Sequence, residues 1–178
     1  MRRIVATTVL ATAFAVTAMA GDFRPATPEE TAEVLAEVEL SPAELGSLRC
    51  HFTQTRRTAM LEEALVTRGV LTIDAPKTLV WEVTEPYSSR SVVALDSDKR
   101  MKAMGRKNDF DRKLFISSDT YRIEMTPLKR DLKQLFAGIC AWIDKATGDV
   151  RKVVLTEASG DTTTIEFHGI TKQKKLTE

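Results

Sequence analysis

Phe52-Thr53-Gln54, then Gly69-Val70-Leu71-Thr72-Ile73, Pro76, Trp81 and Pro86 form the most informative stretch of this chain. Two long strands and a shorter one account for it. If each strand keeps a two-residue period, Phe52, Leu61, Leu65, Leu71, Ile73, Leu79, Trp81 and Val83 all point one way. Thr53, Thr55, Arg57, Glu62, Arg68, Glu82 and Thr84 take the opposite parity. A sheet with one apolar face must cover it with helices, a second sheet or a bound ligand.

Working outward, the alternation predicts strands near 48–57, 61–74, 78–84, 90–96, 99–104, 120–126, 138–144, 150–157 and 162–169. Turn signals at Ala75-Pro76-Lys77, Glu85-Pro86, Asp96-Ser97-Asp98, Ala146-Thr147-Gly148-Asp149 and Ala158-Ser159-Gly160-Asp161 separate them. Connections this short favour antiparallel neighbours. Thr27-Pro28-Glu29-Glu30 reads as a capped helix start, with Val34, Leu35 and Val38 as an apolar stripe fit to lie across the sheet. Residues 108–118 are predicted as a short helix capped by Asp109, because Phe110 and Leu114 stand four apart. Leu128, Leu132, Leu135 and Phe136 also fit a helical period, although that segment could enter the next strand directly.

The fold class expected is mainly β with a few helices (α+β): one large, curved antiparallel sheet forming a half-open barrel covered by helices. Its inward residues would be Phe52, Leu71, Ile73, Leu79, Trp81, Val83, Val93, Leu95, Tyr121, Ile123, Met125, Ile143, Ile165 and Phe167, joined by Ile139. Packing on one another and on the helices is one use of these side chains; lining a ligand cavity is the other.

The N-terminus has the look of an address. Met1-Arg2-Arg3 is a positive start, Ile4 to Thr17 is mostly apolar, and Ala18-Met19-Ala20 is a small-x-small cleavage site. A secretory signal over residues 1–20 is therefore expected, with one domain over 21–178 and a periplasmic, exported product. Losing Arg2 and Arg3 lowers the Lys and Arg count from 26 to 24, against 25 Asp and Glu. So balanced a surface argues against nucleic acid as the main partner, since phosphate binding needs a basic excess. Export makes a Cys50–Cys140 disulfide chemically possible; two small buried hydrophobes is the competing reading.

Little in the chain suggests catalysis. His51 and His168 are the only histidines, both on the polar parity, and neither lies near a nucleophile motif. They read as surface residues. Asp96-x-Asp98 and Asp109-x-Asp111 lack the glycine and distal glutamate of a calcium loop, so turn and cap roles are expected and no metal. There is no glycine-rich phosphate loop and no cofactor is expected.

Phe52-x-Gln54, Gly69-x-Leu71-x-Ile73-x-x-Pro76, Trp81 and Pro86 resemble the opening half of the LolA-type outer-membrane lipoprotein carriers. Tyr121-x-Ile123-x-Met125-x-Pro127, Ile139, the turn at Thr147-Gly148, and Gly160-Asp161-Thr162-Thr163-Thr164-Ile165-x-Phe167 extend the resemblance over roughly residues 31–170. It implies a half-barrel that shields acyl chains of lipoproteins or related lipids. It also implies an inner-membrane ABC-type releasing complex as donor, an outer-membrane acceptor, and no enzymatic activity. Two departures stand out. The family's arginine before the proline is Ala75 here, and only residues 105–119 are available for the usual lid helices. A divergent member is the resulting expectation. The alternative is an envelope interaction or sensor module that uses the same barrel to bind a protein partner.

Overall fold

The computed structural model describes residues 22–38, 47–74, 78–94 and 109–173. The expected signal segment, Leu95, the strand at 99–104 and the Ala75 turn lie outside them. Among these residues, ten strands form one antiparallel sheet: β1 (Arg24–Pro25), β2 (Ser47–Arg57), β3 (Leu65–Asp74), β4 (Thr78–Glu85), β5 (Ser89–Ala94), β6 (Phe110–Ile116), β7 (Thr120–Pro127), β8 (Phe136–Asp144), β9 (Val150–Glu157) and β10 (Thr162–Gln173). Their order is β1-β6-β7-β8-β9-β10-β2-β3-β4-β5. β2 pairs with β10, joining the early and late hairpins, and among the described residues the sheet stays open between its β1 and β5 edges.

Two helices among the described residues accompany it, α1 (Pro28–Val38) and α2 (Arg130–Leu135). α1 begins as the sequence dictates. The Glu30 amide donates to Thr27 Oγ1 (3.2 Å) and the Thr27 amide donates to Glu30 Oε2 (2.8 Å), a reciprocal capping box. Arg24 clamps the same carboxylate through two bonds of 2.6 and 2.9 Å, tying the helix start to β1. α2 is a single exposed excursion with no buried residue.

Three local expectations are corrected. The segment predicted as a helix near 108–118 is strand β6, and Asp109 caps no helix there. It is buried and ion-paired with Lys129 at 2.6 Å. Phe110 and Leu114 are both buried because positions four apart share a face in a strand as they do in a helix. β3 starts at Leu65 rather than 61, leaving Leu61 in a connection at 48% exposure. Leu65 keeps the expected parity, but at the exposed end of its strand.

Candidate functional site

Cross-strand register shows why the apolar parity matters. Phe52 pairs with Gly69 and Phe167; Gly69 pairs with Val83; Leu71 with Trp81; Ile73 with Leu79; Leu79 with Val93. Across the other half, Ile165 pairs with Val153, Val153 with Ala141, Ala141 with Ile123, and Ile123 with Leu114. Met125 faces Ile139, and Tyr121 faces Ile143. Every predicted inward residue among the described strands therefore falls on one side of one sheet.

That face divides into two apolar clusters. Around β6–β8, Leu114, Ile123 and Ile143 are buried with Val34 of α1, and Ala26, Leu35, Ile116, Tyr121 and Met125 pack against them. This half is covered by the helix, as the stripe on α1 foretold. Around β2–β4, Cys50, Phe52 and Leu71 are buried, with Leu48, Ile73, Leu79, Trp81, Val83, Ile165, Phe167 and Ile170 half-buried around them. Among the described residues no helix contributes to this second cluster. Its outer margin is Val93, 36% exposed on β5. The chemistry available here is solvation of hydrocarbon.

The cysteines stand apart. Cys50 lies in the β2–β4 cluster, whereas Cys140 pairs with Glu124 and Val154 on the opposite face, and both are free thiols. Burial pushes the Cys140 thiol up to about 12, with the Glu124 carboxylate adding to the effect. Burial also raises the Cys50 thiol, assisted by Asp149. Neither is an activated nucleophile.

Sequence reasoning missed the second face. One cross-strand row there runs Phe115, Arg122, Trp142, Lys152, Glu166 and Thr53. The Arg122 guanidinium lies between the Phe23 and Phe115 rings, 4.8 and 4.3 Å from their centroids, and Lys152 sits 5.2 Å from the Trp142 ring. His51 and His168 are direct cross-strand partners on this side, both exposed, and His168 Nε2 lies 3.2 Å from Thr53 Oγ1. A half-open cavity of about 630 Å3 opens beside Trp142, Lys152, Glu166 and His168, and a smaller one of about 300 Å3 lies by Cys140. Of the fourteen residues expected to line an acyl cavity, only Phe167 and Met125 border these two spaces. The alternating aromatic and charged residues of strands 120–126, 138–144 and 150–157 were the available signal. No group of three or more His, Cys, Asp or Glu among the described residues is arranged to hold a metal ion.

No family model and no curated protein sequence matches the chain. In fold it is similar to a LolA superfamily protein from Nitrosomonas europaea, at 10% identity, covering 82% of this chain and 94% of that one, with a TM-score of 0.39. It is also similar to MucB, solved in complex with the periplasmic part of MucA, at 13% identity over 83% of this chain and 57% of that one, TM-score 0.48. A Vibrio parahaemolyticus domain described as an outer-membrane lipoprotein-sorting protein matches at 13% identity over 84% and 93% of the two chains, TM-score 0.32. No helix among the described residues is long and apolar enough to cross a membrane.

Proposed function

We propose that this chain is a periplasmic carrier that shields the acyl chains of lipoproteins or related lipids between inner and outer membranes, with no catalytic step. The observation that carries the reading is the β2–β4 cluster. Trp81, Leu79, Val83 and Ile73 form an apolar surface, only half-buried, next to a fully buried Phe52. Half-buried aromatic and branched side chains on a firm sheet suit a hydrocarbon guest. Each methylene taken out of water contributes about 0.8 kcal/mol, so a palmitoyl-length chain gains on the order of 10 kcal/mol. Spread over shallow contacts, that gain is reversible, as a carrier between two membranes requires. An inner-membrane releasing complex and an outer-membrane acceptor are the partners this role needs.

Native mass spectrometry of freshly purified protein tests it. Retained acyl-bearing species, lost on Trp81→Glu, support the reading; an invariably empty protein opposes it. The β5 edge favours a second reading, a module that binds a protein partner. All six residues of β5 are exposed, and β5 ends the sheet formed by the described residues, a place where an added strand can pair. Stable co-purification of a protein with no lipid would select that reading instead.

A further inference from the structure

We infer that the cavity on the polar face is a binding site for an organic cation, an ammonium or guanidinium group on an apolar stem. The site lies on the opposite face from the acyl surface, meeting it only at Phe167, and does not depend on it. At about 630 Å3 the space lies within the range of small-molecule sites. Trp142 and Phe23 give it aromatic walls, and Asp119, Asp144 and Glu166 give it carboxylates.

The charges around it are unequally committed. Arg151 is held by Asp144 (3.4 Å) and Asp149 (3.8 Å). Asp144 is further satisfied by the amides of Ala146 and Thr147, each at 3.0 Å. Lys152 is the cross-strand partner of Glu166, yet its ammonium lies over Trp142 instead. The Glu166 carboxylate consequently has no ion pair or side-chain hydrogen bond among the described residues. Among the described residues the Asp119 carboxylate accepts only from the hydroxyls of Ser117 (3.2 Å) and Thr120 (3.1 Å). The lining carries three carboxylates, Asp119, Asp144 and Glu166, against the two cations Arg151 and Lys152, an excess of negative charge beside an aromatic wall.

The same face shows what such a wall accepts. The chain's own Arg122 and Lys152 are already seated on rings. A guest ammonium would complete Glu166 and Asp119 while its stem lay against Trp142 or Phe23, the combination that favours cations over anions.

Trp142 is its own reporter once Trp81 is removed, since the chain has two tryptophans. In full-length Trp81→Leu protein, Trp142 fluorescence is titrated with spermidine in one arm and with a capped tetralysine peptide in the other. Saturable change with either probe supports the site. Tighter spermidine binding assigns the cation to a free polyamine, and tighter peptide binding to a lysyl side chain of a partner. Exposed Glu166→Gln should weaken the better probe about five-fold, and adding Asp119→Asn should weaken it further. No response to either probe up to about 5 mM, or equal affinity in Glu166→Gln, overturns the inference. Lipid retention by wild-type protein is a separate readout, so either idea can fail alone.

Discussion

Phe52 and Trp81 stack with ring centroids 4.0 Å apart and planes inclined at 28°, although β3 runs between their strands. Gly69 makes this possible. It is the cross-strand partner of Phe52 and Val83, and the Phe52 ring lies across its bare Cα. A Cβ at Gly69 would fall 2.7 Å from Phe52 Cζ and would also collide with the Glu82 carbonyl oxygen of β4. The carbonyl belongs to backbone and cannot swing away.

Gly69→Ala should therefore destabilise the protein by at least about 1–3 kcal/mol, the usual range for overpacking a dense site. Urea unfolding measures it. Gly148→Ala, where a Cβ meets nothing within 4 Å but φ is +66°, reports backbone strain alone and should cost less.

The cap of α1 governs how firmly the helix sits on the β6–β8 half. Thr27→Ala should cost about 0.5–2 kcal/mol in urea unfolding and loosen Val34 from Leu114 and Ile123. Glu30 supplies a pH signature. The Arg24 guanidinium, with the Thr27 amide, lowers its carboxyl from 4.5 to about 2. A depressed folded value means its contribution is present above 4.5 and is lost as pH falls from 4.5 towards 2. The stability difference between wild type and Glu30→Gln should shrink through that window.

Asp149, buried at the β8–β9 turn, holds β10 through Lys172 at 2.6 Å. Burial opposes its charge, but the Lys172 and Thr147 hydrogen bonds and the Arg151 charge outweigh it and leave the carboxyl below its ordinary value. Asp149→Asn should cost about 1–3 kcal/mol at neutral pH. The penalty should disappear in acid, as pH drops from the ordinary carboxylate range through the depressed value. Denaturation midpoints across pH check this.

Both thiols should resist alkylation in the folded protein near pH 8 and react only on unfolding, because burial holds their protons. Mass spectrometry after iodoacetamide treatment reads the result. No oxidant should join them without prior unfolding, since Cys50 and Cys140 occupy opposite faces of the sheet.

The apolar face was legible from sequence because a strand's two-residue period is local. Phe52, Leu71, Trp81, Ile123 and Phe167 announce their side without reference to their neighbours. The cap of α1 was legible for the same reason, since Thr27 and Glu30 are three residues apart. β6 was not. Phe110 and Leu114 satisfy helical and strand periods alike, and pairing with Pro127 and Ile123 of β7 settles the choice. Long-range register also hid the polar-face cavity. Nothing local places Trp142 opposite Lys152, or Lys152 opposite Glu166. The split of the apolar face was hidden too, because it depends on where α1 lies.

The central claim is that the β2–β4 surface holds hydrocarbon. Its most direct test is displacement of a fluorescent fatty acid from purified protein, comparing wild type with Trp81→Glu and with Val34→Ala on the helix-covered half. Wild type should bind saturably; Trp81→Glu should abolish binding while the circular dichroism stays native, and Val34→Ala should retain it. Absence of binding in wild type, or undiminished binding in folded Trp81→Glu protein, would contradict it.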